Sequence, residues 1–326
     1  VLALGAMSFA YFPPALASDT DIVTPPPISG RDLEDPADII PADALARVEL
    51  IRGNLELIRK YMGKTDPVEP VLRVSSARPR ETYAMALNLQ LRANRLAFEQ
   101  ARIIRPVFDP KDVDVMAFDV FGVMDSVLES VLLVKRELGI DIPVVETPMP
   151  DTTTPADVFN ATVAAGSAIN RLLVQSTGPS DTFQTVTAAV NIAAALHIDL
   201  SDGPNLPDEP DFEPYKNPYD VFMKMLDCYA LIQQLANRKG IDTLEFDISE
   251  EQARGIRQND ISDMASLLME ELGSIHARTE AGPPASAYYP GKKFAAHVYQ
   301  RVGLLKLILE DLVAARENSQ GLAERS

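Results

Sequence analysis

One cysteine, three histidines, sixteen glycines and no tryptophan stand in 326 residues. A single cysteine forms no internal disulfide, and with three histidines it leaves too few soft ligands for a Cys/His zinc site. So few glycines fit poorly with a glycine-punctuated nucleotide-binding α/β enzyme. Positive charge is also scarce: 30 Lys+Arg against 47 Asp+Glu give a net charge of −17, which repels nucleic acid and anionic headgroups. What is present is ordinary, with 46% hydrophobic and 24% charged residues, and it argues against intrinsic disorder or a multi-span membrane protein. The length allows one large domain or two ordinary ones.

Residues 1–17, VLALGAMSFAYFPPALA, carry no charge and end in Ala15-Leu16-Ala17. That is the apolar stretch and cleavage pattern of a secretory signal peptide, shorter than the roughly 20 residues a bilayer span needs. It predicts a mature chain from Ser18 in a bacterial periplasm or extracellular space, where free Cys228 means a fold that does not rely on oxidation. No cysteine follows the run, so nothing indicates an amino-terminal lipid anchor. Residues 18–40 form a Pro- and Asp-rich extended lead.

From Pro41 the chain turns into amphipathic segments that share a start. Pro79-x-Glu81-Thr82-Tyr83, Pro110-x-Asp112-Val113, Pro155-x-Asp157-Val158-Phe159, Pro179-x-Asp181-Thr182-Phe183 and Pro218-x-Asp220-Val221-Phe222 are five copies; Asn259-Asp260-Ile261 and Ala296-His297-Val298-Tyr299 lack the proline. Proline suits a first helical turn, where its missing N–H has no partner to lose, and the acid meets the positive end of the helix dipole. Downstream, apolar residues recur at alternating steps of four and three, as in Val221, Met225, Cys228, Ile232 and Leu235. That spacing is the seam of packed helices and excludes the period of two of strands. The aromatic beside the seam widens it, so each helix packs on two neighbours.

These features predict an all-α protein, a helical-repeat bundle or short solenoid of about eight antiparallel helices with no sheet. The helices are expected at 41–64, 80–104, 110–139, 155–175, 179–198, 217–239, 248–278 and 292–316. Start-to-start spacings of 31, 45, 24, 39, 40 and 37 residues are too irregular for a strict tetratricopeptide or ankyrin register. The acidic tract 199–217 divides an amino-terminal array, 41–198, from a carboxy-terminal one, 218–326.

Chemistry is thin. His197 and His276 fall near helix ends, where dipole compensation explains them, and His297 falls at a helix start. No HExxH, GxSxG or Walker loop occurs, and Cys228 lies in an apolar seam. The tract's Asp199, Asp202, Asp208, Glu209, Asp211 and Glu213 could clip calcium, but its prolines do not fit an EF-hand loop and a solvated linker accounts for them. No catalytic residue, metal or cofactor is assigned. Phe118, Phe121, Met223, Tyr229 and Met269, off the main seam, are candidates to line an apolar groove between helices, with core packing as the alternative. Tyr288 and Tyr289, in the loop 282–293, are candidates to contact a partner, against a rigid turn into the last helix.

The run of P-x-D-V-F starts and the closing Pro290-Gly-Lys-Lys-Phe-Ala-Ala-His-Val-Tyr299 segment resemble those of secreted bacterial all-helical repeat proteins of the cell envelope. Within that group the chain resembles the helical periplasmic component that accompanies transporters of sterol- or hopanoid-like lipids. The motif marks helix starts and carries no ligand chemistry. The resemblance implies a periplasmic protein that binds or passes on an apolar ligand, such as a sterol-like lipid, without enzymatic activity. The alternative is an envelope scaffold that binds proteins through a helical-repeat surface, and an enzyme is the third reading.

Overall fold

In the computed structural model the described residues are 36–65, 69–111, 115–145, 147–200, 206–246 and 248–323. The expected signal peptide, residues 1–17, and the lead up to residue 35 lie outside them. The all-α class holds. Eight long helices are α1 (Pro41–Tyr61), α2 (Pro79–Ala101), α3 (Ala117–Glu137), α4 (Pro155–Leu172), α5 (Pro179–Leu200), α6 (Pro218–Asn237), α8 (Gln258–His276) and α9 (Ala295–Ala323); α7 (Glu250–Ala253) is a single turn. The one sheet among the described residues is a two-stranded antiparallel pairing of β1 (Val74–Ser76) with β2 (Glu245–Phe246), where none was expected.

Every long helix starts in the same way. The third residue of the helix accepts a hydrogen bond from the N–H of the residue before the helix: Asp43 from Ile40, Glu81 from Arg78, Asp119 from Met116, Asp157 from Thr154, Asp181 from Gly178, Asp220 from Asn217 and Asp260 from Arg257, all at 2.7–2.9 Å. In α9 the acceptor is His297 Nδ1, 3.2 Å from Phe294 N. Thr154 and Asn217 also accept from the N–H of that third residue, completing a reciprocal cap. The start expected at Pro110 is corrected: α3 begins at Ala117, and Asp119-Val120-Phe121 carries the signature. Asp112 and Val113 lie outside the described residues.

With that start in place, α1 to α4 begin 38 residues apart, at 41, 79, 117 and 155, and α5, α6, α8 and α9 begin 39, 40 and 37 apart. In the first set α1 and α2 each pack on α3 and α4; in the second α5 and α6 each pack on α8 and α9. Pro41, Pro79, Ala117 and Pro155 line one small cavity, so four helix starts meet at one end. Side-chain pairs advance together along each pair of helices, as in Gln90–Ser126 and Asn94–Ser130 or Cys228–Val302 and Arg238–Val313. The helices within each bundle are therefore parallel, not antiparallel. Connection length is the reason. A helix of 21 residues is about 30 Å long, and a connection of 15–17 residues spans that length when extended, whereas a short loop cannot.

The extended returns are clasped by helix side chains that stand in for a partner strand. Asn160 exchanges two hydrogen bonds with the Val74 backbone, and Gln300 donates to Pro210 O; each is the fifth residue past its helix's first. Gln90 accepts from Phe108 N and Asn94 donates to Arg105 O, while Tyr229 accepts from Leu244 N and Gln233 donates to Leu244 O at the matching positions of α6. The two bundles thus repeat one plan down to the groups that satisfy the returns.

Two cores follow. One holds α1–α4 residues such as Val48, Leu89, Met124 and Ile169; the other holds α5–α9 together with Leu72, Val74, Met85, Phe159 and Val163 from the first bundle. The packing divides at the short connection 173–178. The tract 199–217, expected to be a boundary from its composition, joins α5 to α6 within the second bundle. Its described acids, Asp199, Asp208, Glu209, Asp211 and Glu213, are exposed. The bundles meet through α2 and α8, which run in opposite directions: Arg80 reaches Glu271, and Arg92 reaches Asp263.

Candidate functional site

The groove candidates do not converge. Phe118 and Phe121 lie on α3 of the first bundle, and Met223, Tyr229 and Met269 lie on α6 and α8 of the second. Phe118 is partly exposed beneath Lys111, and Phe121 is buried under the Arg47 guanidinium, which is also paired with Asp125. Met223 is at the surface and Met269 packs on the second core. Tyr289 is held to α5 by Gln184, whose Nε2 donates to Tyr289 O and whose Oε1 accepts from Tyr289 N, and by Phe183, whose ring centroid is 5.9 Å away, whereas Tyr288 points outward.

Tyr229 is the informative one. Its hydroxyl donates to Glu271 Oε1 at 3.2 Å and accepts from Leu244 N, so it is a polar anchor rather than an apolar wall. Glu271 in turn accepts from Arg80 Nη2 at 2.7 Å, and Arg80 also donates to Glu81 Oε1 at 2.6 Å and to Ser274. One guanidinium on α2 therefore bridges two buried carboxylates from different bundles. Burial pushes the Glu271 carboxyl up to about 7, with Arg80 opposing that and Glu81 adding to it. For Arg80, burial works against the charge, and Glu271 and Glu81 outweigh it, so its pKa is raised. Glu81 also lines a polar cleft of about 340 Å³ at the same seam, with Arg78, Gln233, Asn237 and Asp242. Farther along the seam, Arg92 passes over Gly166, where a side chain would collide with it, to reach Asp263, whose pKa is raised by burial.

The remaining chemical groups have structural partners. His276 Nε2 lies 2.9 Å from Gly282 O, buried His197 lies 3.8 Å from Asp311, and His297 caps α9. Cys228 is buried and its thiol pKa is pushed up by that burial. Among the described residues no group of three or more His, Cys, Asp or Glu is placed to hold a metal ion; Asp202 of the calcium candidate lies outside them. Glu209 pairs with Arg301 and Glu213 with Lys216. Also among the described residues, no helix is long and apolar enough to cross a membrane.

No protein-family model, curated protein or solved structure matches the chain. The seam's own chemistry gives its first prediction. A carboxyl held near 7 in the folded protein and near 4.5 when free binds its proton more tightly when folded, so its stabilising contribution is complete below pH 4.5 and is lost as pH rises to about 7. Urea denaturation of the unaltered protein at pH 5 and pH 8, beside Glu271→Gln, is expected to show a larger loss for the unaltered protein, by up to about 3 kcal/mol. The two proteins share the rest of the charge pattern, so equal losses would contradict the assignment.

Proposed function

We propose that the protein is a non-enzymatic scaffold of the cell envelope that binds other proteins through the return segments of its two bundles. The observation that carries this reading is Tyr215. It is 97% exposed and sits at φ 65, a backbone region that a bulky residue rarely occupies and that, away from any turn glycine, marks a position kept for use rather than for packing. Tyr288 at 77% and Ile104 at 82% exposure also stand on return segments, and exposed tyrosines are the residue type that anchors protein interfaces. The envelope setting comes from the signal-like residues 1–17 and from the resemblance of the helix starts.

Apolar-ligand carriage is the second reading. It would use the outward strip of Ile104, Val107, Phe108 and Phe118 on the α2–α3 face, because the apolar cavity at the four helix starts is only about 20 Å³. A photoreactive residue at Tyr215 or Tyr288 in the intact cell, with organic extraction of the purified protein, separates the two. The scaffold reading expects discrete protein adducts of envelope proteins and no stoichiometric lipid. Lipid at one molecule per chain with no adducts would replace it by the second reading.

A further inference from the structure

The last return of the second bundle is held to α5 along one edge. Asn191 Nδ2 donates to Ala285 O at 2.8 Å, Gln184 bonds both the C=O and the N–H of Tyr289, and Ser180 Oγ accepts from Lys293 N at 3.0 Å. Asn191 and Gln184 are two turns apart on α5, about 10 Å, while the two residues they hold are four apart, which a helix would cover in about 6 Å. Residues 285–289 are therefore extended. In an extended chain the N–H and C=O of one residue point to one side and those of the next to the other. The clasps on Ala285 and Tyr289 thus turn the backbone groups of Ser286 and Tyr288 away from α5. Those groups have no protein partner among the described residues, and every residue from 282 to 292 is exposed.

Elsewhere in the molecule such edges pair. The return that contains β1 is clasped by Asn160 at Val74, and the return that contains β2 is clasped by Tyr229 and Gln233 at Leu244. The two then pair with each other, Val74 opposite Phe246 and Ser76 opposite Glu245.

We propose that residues 285–289 take an extended segment of a partner protein in the same way, as an added strand bonded through Ser286 and Tyr288. This rests on the scaffold reading and names its mode of recognition. Pro284 and Pro290, which have no N–H, bracket the edge and keep the added strand short. Tyr289 turns in against Phe183 and Tyr288 turns out, so the alternation sets an aromatic beside the incoming strand. Charge narrows the partner. No acid stands between Glu280 and Glu310 in a chain of net charge −17, and exposed Lys292, next to the edge, has no carboxylate partner among the described residues. Gln184 and Asn191, which hold the return, are neutral. The segment that fits carries a carboxylate to meet Lys292.

The test uses the full chain and two fluorescein-labelled peptides, one alternating glutamate with valine and one alternating lysine with valine. The glutamate peptide is expected to slow amide exchange within 285–289, read by mass spectrometry, and the lysine peptide is not. Ser286→Pro removes an outward N–H beside an Ala285 that is already extended, and is expected to weaken binding of the glutamate peptide about tenfold by fluorescence anisotropy. Ala287→Pro places the same ring on the residue whose N–H faces α5, and is expected to leave binding within about twofold. Equal weakening by the two prolines, or no slowing by the glutamate peptide, would overturn the proposal. So would slowing that appears in the chain alone as its concentration rises, which would assign the edge to a second copy. Protein adducts from a photoreactive residue at Tyr215 would in each case leave the scaffold reading standing, and their absence there and at Tyr288 would remove it too.

Discussion

Replacing Arg80 by methionine is expected to destabilise the protein by about 3–5 kcal/mol, because it leaves Glu81 and Glu271 buried against each other without the guanidinium that bridges them. The cost is that of an uncompensated buried charge. It is not the net worth of the ion pair, which burial of three charged groups keeps small. The distinction is testable in one series. Adding Glu81→Gln and Glu271→Gln to Arg80→Met removes the orphaned charges, and glutamine at position 81 still accepts the Arg78 N–H that starts α2. The triple variant is expected to recover most of the loss in urea denaturation. A triple variant as unstable as Arg80→Met would mean that the guanidinium acts through packing alone.

Phe159→Ala is expected to cost a further order of the same size when made singly, about 3–5 kcal/mol, and to do so in both bundles at once. Phe159 is fully buried, is carried by α4 of the first bundle, and packs in the core of the second. Its loss opens a cavity at the seam, where Leu72, Val74 and Val163 also cross from one bundle to the other. Unfolding followed by near-ultraviolet and far-ultraviolet dichroism should show one transition moved to lower urea. A first transition confined to one bundle, with the other unchanged, would show that the seam does not couple them.

How much of this was legible in the sequence depended on distance along the chain. The helix class was plain from local pattern: the proline, the acid two residues on, and the four-three seam. The repeat was hidden by one misplaced start. Pro110-Lys111-Asp112-Val113 has the form of the signature seven residues ahead of Ala117-Phe118-Asp119-Val120, and taking it turns two spacings of 38 into 31 and 45. Helix direction was implicit in the connections, since segments of 15–17 residues are long enough to return the chain along a helix. It needed the correct starts before those lengths could be measured. The seam network was beyond reach from the sequence, because Glu271 lies 42 residues from Tyr229 and 191 from Arg80 and none of the three breaks a local rule. Tyr229 was singled out for its place off the seam, and only packing shows that its hydroxyl, not its ring, decides its role.

The parallel course of the helices carries the rest, since the clasped returns and the repeated plan both depend on it. Its most direct measurement is the distance between nitroxides attached at Arg78→Cys and Met116→Cys, exposed residues that immediately precede the adjacent helices α2 and α3. Native Cys228 is buried and does not compete for the label. Parallel helices place the two labels at the same end of the bundle, with a distance distribution centred below about 25 Å. An up-and-down arrangement would separate them by a further helix length, beyond about 35 Å, and would contradict the architecture described here.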